Sequence, residues 1–282
     1  MALKARTVLM ITKAQIHSMH KLLKIGGVAA LIAMLVAPFV TEKQPVIEPV
    51  KPVDPITMVK PDFSSIKPVS LKKETFFDYM RPGIEAENAR IIKERQRLVN
   101  IKMQFQSSSV DAENKAYAKR IGELYFTTLP ANGVTEQWLD EMLLKVNVLP
   151  EALVLTQAAN ESAWGTSRFA KEANNYFGQW CYKKGCGLVP LQRSEGAAHE
   201  VAKFSTVSAS IYGYFMNVNR NSAYAKLRLI RAKQEANGKD LLDAATATEL
   251  TNGLLKYSER GQAYVNDLQT MIRINKKYWK TS

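Results

Sequence analysis

Histidine is almost missing from this chain of 282 residues: His17, His20 and His199 are the whole supply, and two of them lie within the first 20 positions. A multi-histidine metal centre is therefore excluded from the body, and a Ser-His-Asp or Cys-His site has only His199 to draw on. Cysteine is as scarce. Cys181 and Cys186 cannot build a disulfide-rich scaffold or a four-cysteine zinc site. There is no zinc finger, RNA-binding signature or basic-aromatic stripe, so nucleic acid is not an expected partner. No metal and no cofactor are expected. What is present is 46% apolar and 23% charged residues, an ordinary globular composition with 39 Lys+Arg against 26 Asp+Glu. Chemistry must come from carboxylates, tyrosines and amides in a basic protein.

Acids are also absent from residues 1–24, which carry Lys4, Arg6, Lys13, Lys21 and Lys24. These five account for part of the net charge of +13 and leave +8 for the rest. An uncharged run, Ile25 to Val40, follows. It falls just short of the roughly 17–25 residues that span a bilayer as a helix. Leu22 and Leu23, with Lys24 snorkelling, make a span feasible. A basic flank before an apolar run predicts a cytoplasmic N-terminus with the body beyond the inner membrane. The same pattern fits a cleaved secretory signal, and a buried core helix is a third reading. Either export reading puts the body in the cell envelope, periplasmic or anchored there. A body of +8 would attract an anionic partner, for which an acidic envelope polymer fits better than nucleic acid.

Pro45, Pro49, Pro52, Pro55, Pro61 and Pro68 mark residues 41–75 as an extended linker. After Pro82, the spacing of Ile84, Ile91, Leu98 and Phe105 predicts an amphipathic helix of about 22 residues. It has too few heptads for a coiled coil and should pack on the body. Asp111 is an N-cap for a second helix to Phe126. The segment 76–130 thus reads as a helical bracing region. From residue 131 onward, Thr135 caps a short helix, and Pro150 opens another from Glu151 that Gly165 should end. Residues 174–203 interleave aromatics with glycines and read as loops and short strands with a hairpin turn near Ser194-Glu195-Gly196. Helices then resume to the end. The fold class is α+β, mostly α-helical, with a small β-hairpin insertion.

In the helix Ala152–Trp164, Val154, Gln157 or Ala158, and Glu161 lie at helical spacing. Glu161 is thus set on the edge of an inward face among Ala158, Ala159, Ala163 and Trp164. A carboxyl held there is partly desolvated and holds its proton more tightly. A carboxylic acid protonated near neutral pH is what glycoside hydrolysis asks of its acid.

Gln157-Ala-Ala-Asn-Glu-Ser-Ala-Trp-Gly165, followed by Asn174-Asn-Tyr-Phe-Gly178, resembles the glucosaminidase family, glycoside hydrolase family 73. The family pattern is approximately A-x-E-S-x-W-G, then N-x-F-G. Tyr257, Tyr264 and the run Leu268–Ile272 look like its closing tyrosine and helix. The resemblance covers about residues 135–282. The heptad helix and the segment from Trp180 to Pro190 are similar to one bacterial branch and carry it back to about residue 75. It implies a lysozyme-like fold and a peptidoglycan glycan as substrate, cut at the β-1,4 bond after N-acetylglucosamine. Glu161 matches the proton donor.

Many relatives carry a second acid near the place of Leu191 or Gln192, which are not acids here. Glu200 and Glu195 are the nearby candidates, and substrate assistance by the acetamido group is the third possibility. Tyr257 lies near the family's late tyrosine position, which borders the cleft, and is a catalytic candidate that could position a water or stabilise the positive sugar ring; Tyr224, within a motif that resembles another recurrent one, is a candidate substrate-binding residue. Asn175, Phe177 and Trp180 are candidate substrate-binding residues, and Trp164 is expected to pack behind the acid and keep it dry. Outside the cytoplasm, Cys181 and Cys186 can close a small disulfide. A zinc site with His199 would lack a fourth ligand. Lytic transglycosylase chemistry, a non-catalytic glycan-binding module and a membrane-tethered adaptor are the competing functions.

Overall fold

The computed structural model describes residues 59–190 and 199–279. The basic flank, the apolar run 25–40, most of the proline-rich stretch, Glu195 and the expected turn at 194–196 lie outside the described residues. No helix among the described residues is long and apolar enough to cross a membrane.

Helix α1 (Val69–Gln106) runs 38 residues and carries Pro82 in its interior. The sequence places its start after Pro82, so the helix is longer than expected at its N-terminal end. A mid-helix proline costs about 3 kcal/mol. Pro82 is exposed, so the hydrogen bond it cannot make is lost on the solvent side. The opposite side buries Phe76, Phe77 and Met80 completely. Each such side chain contributes about 1.5–3 kcal/mol, which together outweigh the proline. The heptad residues Ile84, Ile91 and Leu98 face the core, as their spacing requires.

The linker expected through residue 75 also ends sooner. Phe63 is buried edge-on against Phe76 and Tyr79, with ring centroids 5.4 and 5.7 Å away. Lys60 Nζ donates to the carbonyls of Ala170 and Lys171 at 2.6 and 2.9 Å. Those carbonyls end the short helix α5 (Arg168–Ala173), where a cation is favoured.

Local capping sets the next three helices. Asp111 accepts from the Asn114 amide to start α2 (Ala112–Leu124), and Thr135 accepts from Trp138 to start α3 (Glu136–Lys145). Pro150 precedes α4 (Glu151–Ser162), which is buried from Ala152 to Ala159. That helix is the hub. It packs against α1, α8 (Ala244–Thr251) and α9 (Gln262–Ile274), while α1 also meets α3 and α6 (Val207–Arg220). The helix α7 (Ala225–Ala236) bridges α3 and α8. Its Arg231 is fully buried and donates to the carbonyls of Leu144, Lys145, Asn147 and Val148 and to Asn219 Oδ1. One guanidinium thus closes the C-terminal end of α3, whose last carbonyls have no partner within the helix.

Between α5 and α6 lies the β element. It is a three-stranded antiparallel sheet in the order β1-β3-β2, rather than a lone hairpin. Strand β3 (Glu200–Ala202) sits between β1 (Trp180–Cys181) and β2 (Gly187–Leu188), pairing Cys181 with Glu200 and Leu188 with Val201. Cys181 and Cys186 are joined by a disulfide.

Candidate active site

Helix α4 ends in an unusual turn. Ala163, Trp164 and Gly165 follow one another in the left-handed region, with φ of 49°, 58° and 76°. The sequence assigns the helix stop to Gly165, but Ala163 already leaves the helix. Two non-glycine residues there cost roughly 1–2 kcal/mol each, so the surroundings must hold them. Ser162 does so from within: its hydroxyl donates to the Ala158 carbonyl at 2.6 Å and accepts the Gly165 amide at 2.8 Å. Trp164 does so from outside, its ring against Phe76 and Phe77 and beneath Lys73 Nζ at 5.1 Å. Its described ring contacts are with the α1 aromatics, where the sequence reading has it packed behind Glu161. Phe63 covers Gly165 so closely that an added Cβ would lie 2.4 Å from its ring. Glu161 is thereby fixed on the last turn of a buried helix, itself only half-covered.

The Glu161 carboxyl is held by a directed chain of donors. Tyr214 donates to Gln157 Oε1. Gln157 Nε2 donates to the Tyr264 hydroxyl at 2.9 Å, and Tyr264 donates to Glu161 Oε1 at 2.8 Å. Asn160 Nδ2 adds a longer donation to the same oxygen at 3.3 Å. With Oε1 accepting, the acid proton of a neutral Glu161 belongs on Oε2. That oxygen looks toward Gly178, whose added Cβ would stand 3.6 Å away. Burial raises the Glu161 pKa above the usual carboxylate range, and the Tyr264 and Asn160 hydrogen bonds oppose it. Burial, and then the nearby Glu161 charge, also keeps Tyr264 protonated far into alkali, so it remains a donor.

Gln157 and Tyr264 thus emerge as members of the site. Gln157 lies four residues before Glu161 on one helix face, fully buried among apolar neighbours. A glutamine at that spacing is the signal that identifies it. Tyr264 begins the inward face Tyr264, Leu268, Ile272 of α9. The sequence pairs it with Tyr257 as the closing tyrosine, and it is Tyr264 that reaches the carboxyl. Tyr257 stacks on the Tyr264 ring at 5.7 Å and donates its hydroxyl to the Phe177 carbonyl at 2.8 Å. Tyr224 is buried and packs at a tilt against Tyr257, with ring centroids 5.7 Å apart.

Several candidates turn inward. Asn175 is buried, and its side chain is occupied by the loop: Nδ2 donates to the Gln179 and Ala202 carbonyls, and Oδ1 accepts from the Phe177 and Gln179 amides. These bonds shape the turn that carries Gly178. Phe177 is a core residue stacked on Tyr214 at 4.3 Å. Trp180 is the exception at 54% exposed, its ring lying flat on His199 at 4.0 Å. Glu200, a candidate base from sequence, is committed to the backbone. It is buried, and its two oxygens accept the Gly185 and Gly187 amides at 2.9 and 2.8 Å. Its charge braces the loop that the disulfide closes. Asn175 thus hydrogen-bonds across its loop, a contact its place in the motif also suggests, while Glu200, a candidate because it lies near the place of the family's second acid, bonds loop amides.

Residues 136–277 match the family described as glucosaminidase, mannosyl-glycoprotein endo-beta-N-acetylglucosaminidase. Over 217 residues the chain is 31% identical to Protein bax of Escherichia coli (strain K12), an alignment covering 77% of this chain and 74% of that protein. No solved structure matches the chain.

Proposed function

The chain belongs to the glucosaminidase family, and from that premise we propose that it hydrolyses peptidoglycan at the β-1,4 bond after N-acetylglucosamine, with Glu161 as the general acid. The observation that carries the reading is the Glu161 carboxyl itself: its pKa raised by burial, its side chain still partly exposed, and its Oε1 held by Tyr264 so that Oε2 is left as the donating oxygen. In this scheme Oε2 gives its proton to the leaving oxygen while an oxocarbenium-like sugar forms. The donor chain from Tyr214 through Gln157 and Tyr264 then meets the new carboxylate with a hydrogen bond already in place, so little must reorganise. The lysozyme-like architecture and an envelope location, anchored or released, belong to the same proposal.

The second group is assigned by what Glu200 is doing. With both its oxygens on loop amides, it is not given the base role, and the substrate's own acetamido group is the proposed partner. This commitment of Glu200 also favours one second reading, a lytic transglycosylase, which needs a single carboxylate. Digestion of cell-wall sacculi separates them: the hydrolase releases fragments ending in reducing N-acetylglucosamine, the transglycosylase releases anhydro-sugar ends. Glu161→Gln should lower the rate by at least about a hundredfold. Undiminished digestion by that variant removes Glu161 from the chemistry.

A further inference from the structure

The loop between β1 and β2 is pinned more firmly than an exposed turn requires. The Cys181–Cys186 disulfide closes it, the Cys186 amide bonds the Lys183 carbonyl at 3.0 Å, and Glu200 holds the Gly185 and Gly187 amides from below. Gly185, at φ 81°, makes the turn with open space around it. On this frame the outward side chains are Trp180, Tyr182 at 76% exposed, Lys183 and Lys184. From Asn174 to Pro190 the sequence contains no acid, and neither lysine forms an ion pair among the described residues. Most charged residues elsewhere on helices α1 and α3 are tied into such pairs.

The finger also borders the acid. Gly178, just before β1, faces Glu161 Oε2. A rigid, cationic, aromatic-sided projection beside a glycan-cutting carboxyl has a specific chemical complement. We propose that the segment Trp180–Leu188 is a preformed binding site for the carboxylates that peptide branches carry along a glycan strand, with Lys183 and Lys184 meeting the carboxylates and Trp180 stacking on a sugar face. Pinning the loop beforehand removes the ordering cost that a mobile lysine pair would bring to binding. This inference rests on the hydrolase reading above and names what part of the wall polymer that site distinguishes.

The test uses the full chain and two preparations of one wall glycan, one with its peptide branches and one stripped of them by an amidase, the carboxylates that this amide hydrolysis leaves on the glycan then being capped as methyl amides. The wild type should show a KM about three- to tenfold lower on the branched glycan, the scale of two solvent-exposed charge contacts. In Lys183→Gln/Lys184→Gln that ratio should fall to about one, and added salt should erode it in the wild type. Cys181→Ser/Cys186→Ser keeps both charges and frees the loop; it should lose part of the preference. A wild-type ratio of one, or a preference that survives the lysine double variant, overturns the site. If neither preparation is cleaved by the wild type, the hydrolase reading fails by itself. The finger is then judged by pelleting the Glu161→Gln protein, with and without the two lysine changes, on the same two glycans. Equal pelleting on both overturns it, and selective pelleting on branched glycan that needs the lysines supports it.

Discussion

Removing one oxygen atom from Tyr264 tests the donor chain and the acid together. In Tyr264→Phe the ring can keep its place on Tyr257, but Glu161 Oε1 loses its 2.8 Å donor. A hydrogen bond to a charged acceptor contributes about 1.5–3 kcal/mol. The lower end applies, because the carboxyl is half-exposed and Asn160 still donates at 3.3 Å. About 1.4 kcal/mol corresponds to one pH unit. The lost bond favoured the carboxylate, so the acid becomes weaker. A general acid works while protonated, so activity is lost as pH rises through its pKa. The alkaline limb of the kcat/KM profile should therefore move to higher pH by about one unit, even as the maximum rate falls. Gln157 Nε2, fully buried, is left without its acceptor, which costs about 1–3 kcal/mol and lowers Tm by roughly 2–10 °C. Both are read from pH–rate profiles on sacculi and from thermal melts. A limb that stays still or moves to lower pH, in a protein whose Tm has dropped, refutes the idea that Tyr264 tunes Glu161.

Replacing the acid should make the protein more stable. Ionised Glu161 is disfavoured by burial in the folded state, so wild-type stability declines as pH rises from its unfolded value, about 4.3, through its raised folded value. Glu161→Gln should melt higher than wild type at neutral pH, with the gap closing below about pH 4; a gap that widens in acid is the contrary result. Gly165→Ala combines a positive φ with a clash on Phe63 and should cost about 2–4 kcal/mol in denaturant titrations. Adding Phe63→Ala should recover the steric part, and strict additivity of the two changes would disprove the contact. Arg231→Met fills similar space but takes the donor from five acceptors around the end of α3, of which the Asn147 carbonyl keeps Asn219 Nδ2 and the Lys145 carbonyl keeps the Asn147 amide; a loss of at least about 3 kcal/mol is expected, and a loss under 1 kcal/mol would show that water can substitute.

Sequence made legible the features that depend on near neighbours. Asp111 and Thr135 cap helices because the amide they bind is three residues away, and the spacing of Ile84, Ile91 and Leu98 reports the buried side of α1 for the same reason. Glu161 could be found because its helix face and its motif are contiguous. The reading failed where distant burial decided the outcome. Pro82 is a sound local reason to start a helix, but it cannot outweigh Phe76 and Phe77 packing against a tryptophan nearly 90 residues later. Asn175 and Glu200 have polar groups that suit ligands and backbone amides equally well; their partners depend on a sheet whose strands lie some 20 residues apart in sequence. Tyr264 and Tyr257 are equivalent as letters, and only the placement of α9 against α4 decides which hydroxyl touches the acid.

The two ends of the described chain close on each other. Phe77 packs on Trp279 at 5.1 Å, Arg81 holds the Tyr278 carbonyl at 2.9 Å, and the Tyr278 hydroxyl reaches back to the Ser70 carbonyl. During synthesis, at about 5–20 residues per second, α1 must wait roughly 10–40 s for the partners that cover its first turns. Throughout that interval Phe76 and Phe77 have no complete core to enter. A chain arranged in this way leaves the first turns of α1 uncovered until the segment around Tyr278 and Trp279 has been made.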